Sequence, residues 1–82
     1  MKITSPDTLA QSLKEARKHC GLTQQVAAEQ AGIKQATVSG FENYPEKSRI
    51  ETLFKLLAAL DLELYVVERD QAHHDQGWDQ EW

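Results

Sequence analysis

The sequence predicts a mainly α domain of four to five helices followed by one C-terminal strand. Three observations carry this. Apolar residues recur at helical spacing from Leu9 to Leu60, and caps or glycines interrupt that pattern at regular intervals. At 62–68 the period shifts to β-branched and aromatic residues. With 82 residues the chain fits one compact domain, marginal in stability without a partner. The expected divisions are a helical domain over 1–60, a strand over 61–69 and a flexible acidic tail over 70–82.

Ser5-Pro6-Asp7 is a helix start: serine caps, proline suits the first helical position, and aspartate favours the positive end of the dipole. Leu9, Leu13, Ala16 and Cys20 follow on one face, and Gly21 stops the helix. Cys20 has no second cysteine to pair with, and its place on that face predicts a buried, inert thiol. Thr23 caps a short second helix through Ala31, and Gly32 ends it. A third helix of about ten residues runs to Asn43, and 43–46 is a loop. Ser48-x-x-Glu51 reads as a capping box opening a fourth helix, with Ile50, Leu53, Phe54, Leu57 and Leu60 as its inward face. Leu62-Glu63-Leu64-Tyr65-Val66-Val67-Glu68 is the one clear strand. A single strand cannot satisfy its own backbone groups. It either pairs with its copy in a second subunit across a two-fold axis, through Leu62, Leu64, Tyr65, Val66 and Val67, or packs irregularly on the domain.

Charge is distributed unevenly. Through residue 60 there are eight lysines and arginines against six acids, and beyond it Arg69 alone against seven acids. The helical body can therefore present a positive face although the net charge is −4. No stretch approaches the length of a membrane span, and the polar N-terminus does not read as a signal peptide, so a soluble intracellular protein with no membrane partner is expected.

The segment 24–43 points to a function. Two helices crossing steeply need a small residue where they touch, and Ala28 supplies it; the turn between them needs a residue tolerant of positive φ, and Gly32 supplies that. Ile33, Val38 and Phe41 lock the second of these helices inward. Its other face is Gln35, Ala36, Ser39, Gly40 and Asn43, short and uncharged, which suits docking in a major groove of duplex DNA. Gln35 can read adenine, Ala36 can meet a thymine methyl, Ser39 can serve several base edges, and Lys34 can reach guanine or a phosphate. Phosphate contacts are expected from Gln24, Thr37, Asn43, Lys47 and Arg49, although any single cation here is also readable as a solvated surface charge. Gly40 costs up to about 1 kcal/mol of helix stability relative to alanine. Two readings stay open for it, close backbone approach to a ligand or simple tolerance.

The run Leu22-Thr23-Gln24, the Ala28/Gly32 spacing, and Ile33 to Ser39 with Phe41-Glu42-Asn43 resemble the Cro/C1-type (XRE) helix-turn-helix family. That implies a lambda-repressor-like DNA-binding domain over residues 5–60. Within the family, the core GIKQATVSGFEN, the strand after the fourth helix and a tail ending in Glu81-Trp82 resemble the HipB antitoxins. The resemblance implies a homodimer with paired C-terminal strands, which binds palindromic operator DNA, represses its own operon and binds a HipA-like serine/threonine kinase toxin. Carried over by position, Lys34, Gln35, Ala36 and Ser39 are the base-contacting residues, and Trp82 lies in a tail used for toxin contact and turnover. Two positions depart from the pattern. Ala27 stands where the family usually has leucine, beside Val26 in a normally exposed slot, which implies looser packing or a small helix rotation. Trp78 and the pair His73-His74 are the other additions. Trp78 and Trp82 read either as anchors that bury against a partner or as chance exposure.

No cofactor or metal is expected. Adjacent histidines point apart in regular structure, and no further ligands are spaced to complete a site. No nucleophile–base pair or glycine-rich phosphate loop favours an enzyme. The remaining alternatives are a stand-alone regulator without a toxin, and a protein-binding module without DNA activity.

Overall fold

The structure is a computed structural model, and it describes residues 2–69. Four helices form in the order α1 (Pro6–His19), α2 (Gln24–Ala31), α3 (Gln35–Asn43) and α4 (Ile50–Ala59), with a 3-10 turn at Pro45–Lys47 between the last two. Ser5 caps α1 by accepting from the Thr8 N–H at 3.2 Å, with Pro6 in the first turn. Thr23 caps α2 in the same way, from the Val26 N–H at 3.1 Å.

Three helices end by one device. At the end of α2 the Gly32 N–H donates to Glu29 O and the Ile33 N–H to Ala28 O, with Gly32 left-handed at φ 74°. Gly21 closes α1 with the same pair of bonds, from Gly21 to Lys18 O and from Leu22 to Arg17 O. Asp61 closes α4, its N–H on Ala58 O and the Leu62 N–H on Leu57 O, at φ 58°. Aspartate is among the few residues other than glycine that enter this region readily.

The core lies where α2 meets α3 and α4 and where α1 lies on α3. It is built from Ala10, Leu13, Ala28, Val38, Phe41, Leu53, Leu56, Leu57 and Leu60, with Leu9, Ala16, Leu22 and Ile33 packed on its margin. Ala28 is buried at the crossing of α2 and α3, and Val38 and Phe41 face inward, as the spacing predicts. Ala27 is fully buried while Val26 stays 37% exposed, so α2 is not rotated to bury the larger side chain.

Several expectations are corrected. Cys20 is exposed: α1 ends at His19, so Cys20 is the cap at which the chain turns away, and Arg17 is the last buried residue of the stripe. The Ser48 capping box does not form. The Ser48 N–H closes the 3-10 turn on Pro45 O at 3.0 Å, the helix starts one residue late, and Arg49 occupies the cap position with no side-chain bond. Ile50 and Phe54 lie outside the core, 68% and 53% exposed, and Leu56 takes the inward place. Residues 62–68 hold no strand within this one chain, and Tyr65, Val66 and Val67 are about as exposed as the loops.

A charged network sits beside the core. Arg17 on α1 donates through Nε to Glu42 Oε2 at 2.7 Å and through Nη2 to Glu42 Oε1 at 3.2 Å. Its Nη1 donates to Leu22 O at 2.8 Å, and Gln24 Nε2 donates to Glu42 Oε1 at 2.9 Å, the third bond on that carboxylate. The two charged side chains are 9% and 4% exposed. Burial pushes the Glu42 carboxyl up, but the hydrogen bonds from Arg17 and Gln24, together with the positive charges of Arg17 and Lys14, outweigh it and hold the group below its ordinary value of 4.5. A carboxylate depressed in the folded state contributes stability that is present above its unfolded pKa and lost as pH falls through the folded value. Stability is therefore expected to decline on acidification below pH 4.5. Glu42→Gln should flatten that part of the profile and cost on the order of 3–5 kcal/mol at neutral pH by leaving Arg17 uncompensated. Denaturant melts of both proteins across the acid range check this, and parallel profiles would refute it.

Candidate nucleic-acid interface

The short link Gly32-Ile33-Lys34 joins α2 to α3, and α3 turns one side to the core and the other outward. Lys34 caps α3 without a side-chain bond, as a lysine must, having no acceptor. Its carbonyl takes the Thr37 N–H at 2.9 Å and the Val38 N–H at 3.2 Å. Lys34, Gln35, Ala36 and Asn43 are exposed, and Ser39 and Gly40 are half-buried on the same side. Asn43 Nδ2 donates to Ser39 Oγ at 3.2 Å, so two polar groups of this face are joined across one turn. The face carries one cation and no carboxylate. It offers amide, hydroxyl and methyl groups in a shallow surface, the chemistry needed to match base edges.

The expected phosphate-contacting residues fall into three places. Thr37, Lys47 and Arg49 border one open groove between α3 and the start of α4, where Gly40, Tyr44, Glu51, Thr52 and Lys55 also line the walls. Gln24 stands apart, at the first turn of α2, with its amide held by Glu42. Asn43 belongs with Ser39 on the face of α3 itself.

The sequence reading missed the Arg17–Glu42–Gln24 network. A signal for it exists, since Arg17 continues the buried stripe of Ala10 and Leu13 on α1, and Glu42 lies four residues after buried Val38. Charges on two apolar stripes imply that they meet. Tyr44, Thr52 and Lys55 were also missed, because only the fold brings the start of α4 beside α3.

Among the described residues, no group of three or more His, Cys, Asp or Glu is placed to hold a metal ion, and no helix is long and apolar enough to cross a membrane. His73, His74, Trp78 and Trp82, and the whole expected tail, lie outside the described residues.

The crossing of α2 and α3, with a small polar face on the second and basic groups at its flank, defines a helix-turn-helix domain. The helix-turn-helix family model matches residues 13–67. Antitoxin HipB of Escherichia coli O6:H1 is 40% identical over 83 residues, covering 99% of this chain and 88% of that protein. Antitoxin HipB of Escherichia coli K12 is 42% identical over 71 residues, covering 87% and 81%. The solved HipA-HipB-O2-O3 complex contains a chain 41% identical to this one, at a TM-score of 0.83, covering 85% of this chain and 99% of that one. The chain belongs to the helix-turn-helix family and, within it, to the HipB antitoxins.

Proposed function

We propose that this chain is the antitoxin and autorepressor of a HipBA-type operon, acting in the cytoplasm without catalysis of its own. As a homodimer it binds palindromic operator DNA, and it also binds a HipA-like kinase toxin. The observation that carries the DNA reading is the outward face of α3, a small polar surface with one cation and no carboxylate, on a helix tied to α1 by the buried Arg17–Glu42 pair. Lys34, Gln35, Ala36 and Ser39 contact bases. Gln24, Thr37, Asn43, Lys47 and Arg49 contact phosphates and set the register. The first turn of α2 suits this role for Gln24, because Glu42 orients its amide and leaves one amide hydrogen for a phosphate.

The dimer follows from what the single chain leaves uncovered. Leu62, Leu64, Tyr65, Val66 and Val67 are exposed and have no strand partner among the described residues. Ile50 and Phe54, one turn apart on α4, are further exposed apolar side chains. A second copy covers both, pairing the 62–67 strands about a two-fold axis. Two recognition helices then meet inverted half-sites about one helical turn, roughly 34 Å, apart. The solved complex that joins HipA to HipB supports the toxin reading, and Trp78 and Trp82 are the proposed contacts.

Titration with duplex DNA from upstream of its own gene tests the central reading. Affinity should fall steeply with salt, and absence of binding at low salt would end it. Gln35→Ala and Ser39→Ala should each lose about 1–3 kcal/mol on the preferred site and less on unrelated duplex; equal losses on both would make them backbone contacts. Phe54→Ser should keep the helical signal yet shift sedimentation toward the monomer and weaken operator binding together, whereas an unchanged dimer would remove α4 from the interface. Deleting Trp82 should weaken capture of the kinase and leave operator affinity intact, and undiminished capture would refute the tail contact.

A further inference from the structure

We propose that the acidic segment 70–82 of this chain docks back on the groove between α3 and the start of α4, and so competes with DNA for the cations there; the competition, but not the docking, rests on the operator-binding reading above. Lys47, Arg49 and Lys55 line that groove, with Glu51 as its one carboxylate. Glu51 faces Lys55 at 3.6 Å, while Lys47 and Arg49 have no carboxylate partner among the described residues. The segment 70–82 holds Asp70, Asp75, Asp79 and Glu81 and not one lysine or arginine. Opposite charges on one chain attract each other within the Debye length, about 8 Å at physiological salt. Tethering adds an effective concentration on the order of millimolar, which a free ligand rarely reaches.

The groove also suits the other residues of the segment. Thr37, Tyr44 and Thr52 bring hydroxyl groups to its walls, donors that a carboxylate accepts from. Tyr44 is 62% exposed, so its ring offers an open apolar face beside the cations. Trp78 and Trp82 each stand next to an acid in the sequence, Asp79 and Glu81. An indole joined to a carboxylate complements a surface where an aromatic ring adjoins lysine and arginine. The reach is sufficient. Lys55 lies four residues, about 6 Å, before the end of α4 at Ala59, so the chain leaves the helices close to the groove. Residues 62–67 take up about 20 Å when fully extended, and the segment 70–82 spans up to roughly 45 Å, more than the way back. Carboxylates seated on Lys47 and Arg49 keep phosphates from them, so the segment lowers operator affinity until duplex or salt displaces it.

Trp78 and Trp82 are the only tryptophans of the chain, so its tryptophan emission reports this segment alone and needs no DNA. In the full-length chain at low salt, Lys47→Gln/Lys55→Gln should shift that emission to longer wavelength and raise its quenching by acrylamide. Salt near 1 M, where the Debye length is about 3 Å, should bring the wild type to the same level. Equal quenching in the two proteins at every salt would overturn the docking, and it is also the result for a segment that only repels DNA from a distance. Duplex from upstream of the protein's own gene should raise the wild-type quenching as it binds; binding without that change would overturn the competition. Asp75→Asn/Asp79→Asn/Glu81→Gln in the full-length chain should bind this duplex roughly three- to tenfold more tightly at low salt, the worth of three exposed ion pairs, with the gap closing as salt rises. Equal affinity would likewise overturn the competition. Failure of the wild type to bind duplex at all removes the operator reading and leaves the fluorescence result to decide the docking.

Discussion

The buried pair between Arg17 and Glu42 is the constraint on which the geometry of this domain depends. Taking two charges out of water costs several kcal/mol per ion, and only good geometry and further hydrogen bonds offset it. Both are present here. The guanidinium meets the carboxylate with two N–H groups and uses another on the Leu22 carbonyl, while Gln24 adds a third bond to the carboxylate. An apolar contact of the same area would hold α1 to α3 as firmly but would tolerate sliding. A planar fork on a carboxylate does not. The pair therefore fixes the orientation of α3, and through Leu22 and Gln24 it fixes the start of α2 as well.

Short closed turns complete that definition. The left-handed residues at 21, 32 and 61 each bring the chain back on its own last turn with two backbone bonds. Between α2 and α3 this leaves almost no free length, so the crossing angle follows from Gly32 and from the small contact at Ala28. The same closure at Asp61 ends α4 abruptly and sets the direction in which residues 62–69 leave the domain.

What the sequence disclosed, and what it hid, has a physical pattern. The ends of α1, α2 and α3 were legible because proline, hydroxyl caps and glycine act locally, within one turn. The outward face of α3 was legible because Ile33, Val38 and Phe41 mark its opposite. The register of α4 was not. Ile50, Leu53, Phe54, Leu56, Leu57 and Leu60 are all apolar, and periodicity alone cannot say which side of such a helix turns inward. The packing against α2 chose Leu56 over Ile50 and Phe54. Ser48 and Glu51 have the spacing of a capping box, but the rigid ring of buried Pro45 draws Ser48 into the preceding turn. The groove beside α3 was hidden for a different reason, since its two walls come from separate helices and have no common motif.

The excess of apolar residues on α4 gives that helix three jobs in three sectors. Leu53, Leu56 and Leu57 face the core. Thr52 and Lys55 wall the groove beside α3. Ile50 and Phe54 look outward, toward the side proposed for the second subunit. A helix so placed leaves little slack between the reading of one half-site and the pairing of two subunits. Its core sector packs on α2, α2 packs on α3, and α3 is oriented by the Arg17–Glu42 pair. Dimer contacts made through the outer sector of α4, as proposed, would therefore set the separation of the two recognition helices through rigid packing rather than through a linker. In that arrangement specificity for half-site spacing is a property of the core as much as of the residues that meet the DNA.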